Sequence, residues 1–127
     1  MNYMLMFYQT PEEFEARRDP EKQAAFLASF VPYHQAIVDA GIVVSGAGLQ
    51  PPDTATTLRP TGGQSQVQDG PFPDTKEQLG GFFVIDVPDL DTALQWAARY
   101  PAGAGGGTEV RPAFVMQPQE HLSTQTP

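Results

Sequence analysis

The longest apolar segment at the start of the chain covers residues 3–8, where nearly every side chain is apolar. A run without alternation is typical of a strand that is covered on both faces. Residues 82–87, rich in aromatic and β-branched side chains, predict a second strand of this kind. Further strands are predicted to start at residue 42 and to cover residues 108–116. The pattern therefore predicts four strands for one main sheet.

Two stretches have the spacing of amphipathic helices. Residues 21–40 carry apolar side chains at helical intervals, and Gly41 fits the position just past the last turn. Pro32 lies within this helix and removes a backbone donor, which predicts a kink or a short break. Asp89 is a favourable N-cap for a second helix, which Pro101 ends. The chain therefore alternates helices with strands.

A polar β-hairpin is predicted over residues 54–68, with its turn at Thr61-Gly62-Gly63. Without this hairpin the order is β-α-β-β-α-β, which predicts an α+β, ferredoxin-like fold. The helices can cover only one face of such a sheet, so a second copy of the chain is expected to cover the other. The apolar side chains that we assign to this second face are Leu5, Phe7, Phe83, Ile85 and Phe114.

The length of 127 residues fits one domain, which we place at residues 1–116, followed by a flexible tail at 117–127. The absence of cysteine excludes disulfides, thiolate metal sites and a cysteine nucleophile. No apolar run approaches the roughly 20 residues that a membrane-spanning helix needs. The N-terminus lacks the features of a signal peptide, so we expect a cytoplasmic protein.

The formal net charge of -8 argues against two classes of partner. An acidic surface repels phosphate backbones, so we expect no nucleic-acid binding. The same repulsion disfavours docking on anionic membranes. Local basic positions are Arg59, Lys76 and Arg111.

The segment that links the hairpin to the strand at 82–87 resembles a known family. Asp69-Gly70-Pro71-Phe72, followed by Thr75-Lys76-Glu77 and Leu79-Gly80-Gly81-Phe82, is similar to the signature of the DGPF-type branch of the YCII-related domain family. The resemblance covers roughly residues 1–115 and implies a dimeric α/β barrel. It also implies a site with a helix histidine and an aspartate, and it names no single reaction.

His34 and Asp69 are the candidate catalytic residues. His34 shares a predicted helix face with Leu27 and Phe30, where a histidine is either a packed residue or a general acid or base. The resemblance implies the second role for His34. Asp69 either caps the backbone of its Gly-Pro turn or acts as the acidic partner of His34.

Asp86 and Arg111 are candidate ligand-binding residues. Asp86 is a carboxylate at the end of an apolar strand, where it either binds a ligand or simply reaches solvent. Glu109 and Arg111 lie two positions apart on the last strand and therefore share a face. Arg111 either pairs with a carboxylate of the protein or dimer, or holds an acidic ligand.

Several familiar motifs are absent. Ser45-Gly46-Ala47-Gly48 lacks the first glycine of a nucleophile elbow, and the glycine-rich loop at 103–107 has no P-loop lysine. His34 has no His or Glu four residues away, so we predict no metal site and no cofactor. Asp74 and Glu77 have the spacing of a helix capping box.

Two functions are consistent with these residues. One is a small cofactor-free enzyme that binds an unidentified small molecule and uses His34 and Asp69 as an acid–base pair. The other is a non-catalytic regulatory or ligand-sensing dimer, because DGPF-type proteins are associated with sigma-factor-dependent transcription. Convergence of His34 and Asp69 in one pocket would favour the first.

Overall fold

A computed structural model of the protein describes residues 1–71, 76–102 and 105–114, without the side chain of Thr61. The strands are β1 (Asn2–Gln9), β2 (Val43–Gly48), β3 (Thr56–Thr61), β4 (Gln64–Asp69), β5 (Gln78–Asp86) and β6 (Gly107–Pro112). The α-helices are α1 (Pro11–Ala16), α2 (Pro20–Asp39) and α3 (Leu90–Ala98), and a short 3-10 turn covers Pro52–Thr54.

The main sheet has the strand order β2-β5-β1-β6, and every neighbouring pair is antiparallel. With the hairpin set aside, this is the order of a ferredoxin-like fold, with the first and third strands in the centre. β3 and β4 form a separate two-stranded sheet, whose turn contains Gly62 and Gly63 in the left-handed region. The predicted α+β, ferredoxin-like fold with an inserted hairpin is confirmed.

Local sequence signals, such as capping residues and glycines, predicted where most helices begin and end. The Asp89 side chain accepts a hydrogen bond from the backbone N–H of Thr92, as expected for the N-cap of α3. Gly41 follows α2 with a φ of 71°, a conformation that glycine adopts without steric cost. Of the predicted kink or short break at Pro32, the break is wrong, because α2 continues through this residue, and the kink stays a prediction. Pro32 is exposed, so water can reach the carbonyl group that loses its partner.

Three predictions near the later strands need correction or fall outside the described residues. β5 begins at Gln78 rather than at residue 82, because Gly81 already pairs with Phe7 on one side and Gly48 on the other. β6 ends at Pro112, four residues before the predicted end. Asp74, with its predicted capping role, and the predicted tail lie outside the described residues.

The core lies between the sheet and the helices α2 and α3. Leu5 and Ile85 are fully buried on the sheet, and they belong to one cluster with Tyr33 and Ile37 of α2 and Ala93 of α3. Tyr33 donates a hydrogen bond from its hydroxyl group to the backbone oxygen of Trp96 at 3.0 Å, which links the two helices. Burial raises the pKa of Tyr33 to about 12, so its hydroxyl group stays neutral at ordinary pH.

The assignment of residues to the two faces of the sheet was wrong. The residues expected on the free face, Leu5, Phe7, Phe83 and Ile85, all belong to the cluster beneath the helices. The fifth, Phe114, is fully exposed. Because side chains alternate along a strand, the other face carries Met4, Met6, Phe82 and Val84. Both faces of β1 and β5 are apolar, so their sequences do not distinguish the face that receives the helices.

Candidate functional site

A cleft of about 380 Å³ opens between the first half of α2 and the sheet. Gly46, Gly48 and Gly81 lie together on the helix-facing side of the sheet, since Gly46 pairs with Phe83 and Gly48 pairs with Gly81. Three neighbouring positions therefore place no side chain under the helix. A Cβ atom at Gly48 would meet nothing within 4 Å, whereas the ring of Phe83 occupies the place beside Gly46. We call this space the glycine cleft after the glycines that line it.

The helix side of the glycine cleft is one apolar stripe of α2. Phe26, Leu27 and Phe30 form this stripe, and Gln23 and His34 extend the same face at helical spacing on either side. The buried residues of α2, Tyr33 and Ile37, lie in its second half. The first half of α2 thus borders a part of the sheet in which several positions are glycine, and Leu27 remains 44% exposed.

Aromatic rings form the inner end of the cleft. Tyr100 stacks on Phe7 with ring centroids 3.9 Å apart and an interplanar angle of 13°. Phe30 meets Tyr100 edge-on at 6.2 Å, and Phe83 meets Phe7 edge-on at 5.9 Å. These contacts fix the rings, so the cleft offers a rigid apolar surface to a flat ligand.

Arg17 is the cationic residue of the cleft, and it is held by three separate parts of the chain. Its Nη1 donates to the backbone oxygen of Leu49, after β2. Its Nη2 donates to the backbone oxygen of Gly80 on β5 at 3.1 Å and to Oε1 of Gln9 on β1. Gln9 in turn donates from Nε2 to the hydroxyl oxygen of Tyr100 at 3.5 Å.

The absence of a side chain at Gly80 leaves room for the guanidinium group of Arg17. A Cβ atom at this position would stand 2.9 Å from Nη2 of Arg17, inside the normal contact distance. Partial burial disfavours the charged form of Arg17 and therefore lowers its pKa. Tyr100 and Glu13 act in the opposite direction and raise it. Arg17 is therefore a partly desolvated cation whose direct acceptors are neutral oxygens.

His34 lies at the rim of the same cleft. Its ring centroid is 5.7 Å from that of Phe30 and 5.9 Å from that of Phe83, yet the residue remains exposed. A side chain in this position can contact both water and a molecule bound between the helix and the sheet. The predicted helix face that His34 shares with Leu27 and Phe30 is confirmed.

The other predicted site residues lie elsewhere in the chain. Asp69 is exposed at the end of β4, opposite Thr56 of the hairpin. Asp86 accepts a hydrogen bond from the N-terminal amino group at 2.8 Å. Arg111 pairs with Glu109 and lies opposite Met4, on the sheet face away from the cleft. The described residues of one chain thus bring His34 into the cleft without Asp69, Asp86 or Arg111, whose predicted roles stay predictions.

Sequence reasoning missed Arg17 and the four glycines. Arg17 and Arg18 are adjacent and look alike in the sequence, but Arg18 pairs with Asp53 at 2.6 Å on the surface. No local pattern separates them. The glycines at 46, 48, 80 and 81 did carry a signal, because glycine within a strand often marks a close approach of a ligand or another chain segment.

The part of the chain that the structure describes holds neither a metal cluster nor a membrane helix. No group of three or more histidine, aspartate or glutamate side chains is placed to hold a metal ion there. None of the described helices is both long and apolar enough to span a bilayer.

A larger depression of about 540 Å³ lies beside α1. Charged side chains dominate its lining, among them those of Glu12, Lys22, Lys76 and Glu77. Among the described residues, no aromatic side chain lines it, whereas sites for small organic molecules are lined predominantly by hydrophobic and aromatic side chains. The glycine cleft is therefore the stronger candidate for a ligand site.

Comparison with known proteins identifies the family. The model of the YCII-related domain matches residues 1–117, and the chain belongs to this family. An uncharacterised protein of Rhizobium meliloti strain 1021 is 44% identical over 85 residues, which cover 65% of this chain and 68% of the relative. The family is thereby established, and it agrees with the resemblance seen in the sequence.

One solved structure resembles the chain over most of its length. It is the 5-chloro-2-hydroxyhydroquinone dehydrochlorinase of Burkholderia phenoliruptrix AC1100 in complex with 2,5-dihydroxybenzoquinone. The match covers 91% of this chain and 96% of that chain, with 17% identity and a TM-score of 0.47. The reaction and the ligand in that description belong to that protein.

Proposed function

We propose that this protein binds a small, flat organic molecule in the glycine cleft. The observation that carries the proposal is the coincidence of three side-chain-free strand positions, Gly46, Gly48 and Gly81, with an apolar stripe of α2 above them. A cleft of about 380 Å³ falls in the range of natural small-molecule sites, which are mostly apolar with a few polar groups. Arg17 and His34 are polar groups of this kind.

We further propose that His34 acts as a general acid or base on the bound molecule. It lines the cleft and reaches water, so it can exchange a proton with a ligand and then with the solvent. Asp69 lies outside the cleft of its own chain, and its pairing with His34 is no part of this proposal. A catalytic role of His34 requires that the protein convert its ligand chemically as well as bind it.

Binding is tested by a fragment screen followed by NMR mapping on the ¹⁵N-labelled protein. We expect monocyclic aromatic fragments to shift the amide signals of Gly46, Gly48 and Gly81, and that of His34 on the helix. Signals of the hairpin, such as that of Gln66, should stay in place. Shifts that cluster outside the cleft, or no shifts with any flat fragment, would disprove the proposal.

The catalytic role is tested on any ligand that mass spectrometry shows to be converted. His34→Gln should lower the rate of conversion by about 10²- to 10⁴-fold, because the proton acceptor is lost while the polar shape is retained. The dissociation constant should change little. Gln35→Ala, on the same helix and exposed, is the control. An unchanged rate in His34→Gln would remove the catalytic role and leave a binding protein.

We also propose a homodimer in which a second copy covers the sheet face opposite the helices. Met4, Met6, Phe82 and Val84 give that face an apolar character. The separate hairpin also carries exposed apolar side chains, Leu58 and Val67, which pair across its strands and are 59% and 68% exposed. Val84 is buried within one chain, while Met4, Met6 and Phe82 are half-buried. Partly accessible apolar side chains that lie together are typical of an interaction site.

Sedimentation velocity at micromolar concentration should therefore give the mass of a dimer. Phe82→Lys places a charge on the proposed interface, between the uncharged residues Met6 and Ala47. It should shift the equilibrium to the monomer, since an unpaired buried charge is costly. Leu94→Lys adds the same charge to the outer side of α3, where Leu94 is 46% exposed, and should leave the dimer intact. A wild-type monomer would refute the proposed dimer.

A further inference from the structure

The position of Arg17 defines the chemistry of the ligand more closely than the apolar surface does. The side chain follows α1 and ends in the glycine cleft, where the backbone oxygens of Leu49 and Gly80 and the amide of Gln9 hold it. A guanidinium carries more N–H donors than these three hydrogen bonds use, so donors remain for a bound molecule. The group is thus fixed before a ligand arrives, which lowers the entropic cost of binding.

The charge of Arg17 has only partial compensation within the protein. Its three acceptors are neutral oxygens, and partial burial makes the charged form costly, as the lowered pKa of Arg17 indicates. An anionic ligand would restore the interaction that burial removes. Hydrogen bonds between a guanidinium and a carboxylate are among the strong ones in proteins.

The rest of the cleft offers aromatic surface. Phe30, Phe83 and Tyr100 line it, and the edge-on contact between Phe30 and Tyr100 holds two of these rings in place. We propose that the glycine cleft selects a small aromatic acid, whose carboxylate binds Arg17 while its ring lies against these side chains. The inference rests on the proposed binding function and adds the class of ligand.

The test compares two probes of nearly the same shape, benzoate and benzamide, by NMR titration of the ¹⁵N-labelled protein. Benzoate carries the negative charge, whereas benzamide is neutral. We expect benzoate to bind the wild-type protein at least about tenfold more tightly, because a charge-assisted hydrogen bond exceeds a neutral one by this order. Equal affinities of the two probes would overturn the inference.

Variants at adjacent arginines assign the preference to one side chain. Arg17→Gln should bind both probes with equal affinity, since only the charged interaction is lost. Arg18→Gln removes the same charge from the exposed neighbour that pairs with Asp53, and it should keep the benzoate preference. Loss of the preference in both variants would show that net charge, rather than Arg17, selects the acid, and would contradict the inference.

Arg17 also connects three chain segments, so the glutamine variant can lose its fold. Near-UV circular dichroism checks this, and Arg17→Lys, which keeps the charge, should retain a benzoate preference. Loss of that preference in a folded Arg17→Lys protein would count against a purely electrostatic anchor. If both probes shift the cleft amides equally, binding stands and only the ligand class fails. If neither probe shifts the cleft amides but other flat fragments do, the ligand class fails and binding stands. If no flat fragment shifts them, the proposed function itself fails.

Discussion

Leu5→Ala is expected to lower the free energy of unfolding by about 2–5 kcal/mol, the range observed when a buried leucine is truncated. Leu5 is fully buried in the centre of the sheet, where it lies opposite Phe83 of β5 and Val110 of β6. Neighbours on both strands hold its surroundings in place, so the structure cannot collapse into the space that the side chain leaves. Urea unfolding followed by circular dichroism, at one fixed protein concentration, measures the change.

Leu94→Ala is the matched control for this substitution. Leu94 loses the same atoms but lies on the outer side of α3, where it is 46% exposed, and alanine is a good helix former. Its stability should stay within about 0.5 kcal/mol of the wild type. Equal losses in the two variants would mean that Leu5 does not lie in the core described above.

Gly48→Val is expected to weaken the binding of any ligand that occupies the glycine cleft by about tenfold or more. A Cβ atom at Gly48 would meet no atom within 4 Å, so the valine side chain can enter the cleft without displacing the protein. Valine is also well suited to a strand. The ligand would have to give up the volume that valine fills, and NMR titration with the strongest fragment hit measures the loss of affinity.

Gly107→Val separates occlusion of the cleft from a general effect of valine in a strand. Gly107 lies on β6 and does not line the cleft, and a Cβ atom there would likewise meet no atom within 4 Å. Ligand affinity should match that of the wild type, and the melting temperatures of both valine variants should be similar. Full affinity in a folded Gly48→Val protein would show that the ligand binds elsewhere.

Local patterns in the sequence were enough to predict the elements and their order. Asp89 and Gly41 marked a helix start and a helix end through interactions with nearby backbone groups, which do not depend on the rest of the fold. The hairpin followed from its Gly62-Gly63 turn in the same way. These signals, with the order of helices and strands, were sufficient for the ferredoxin-like fold. The YCII-related family was indicated separately, by the resemblance of the segment at residues 69–82.

The face of the sheet that receives the helices could not be predicted in this way. Residues 3–8 and 82–87 are apolar on both sides, so alternation indicated no direction, and the assignment of Leu5 and Ile85 to the free face was wrong. The choice depends on how the side chains of α2 and α3 fit the sheet as a whole. Packing of this kind is a property of contacts between distant segments.

The candidate site depended on long-range contacts for the same reason. His34 was found from its residue type and helix position, and the structure places it at the rim of the glycine cleft. The cleft itself arises because the pairing of β2 with β5 aligns Gly48 with Gly81 beneath α2. Arg17 differs from Arg18 only because three distant oxygens surround it. The glycine cleft thus depends on strand register, and the surroundings of Arg17 depend on hydrogen bonds between distant segments. No local pattern in the sequence encodes either of them.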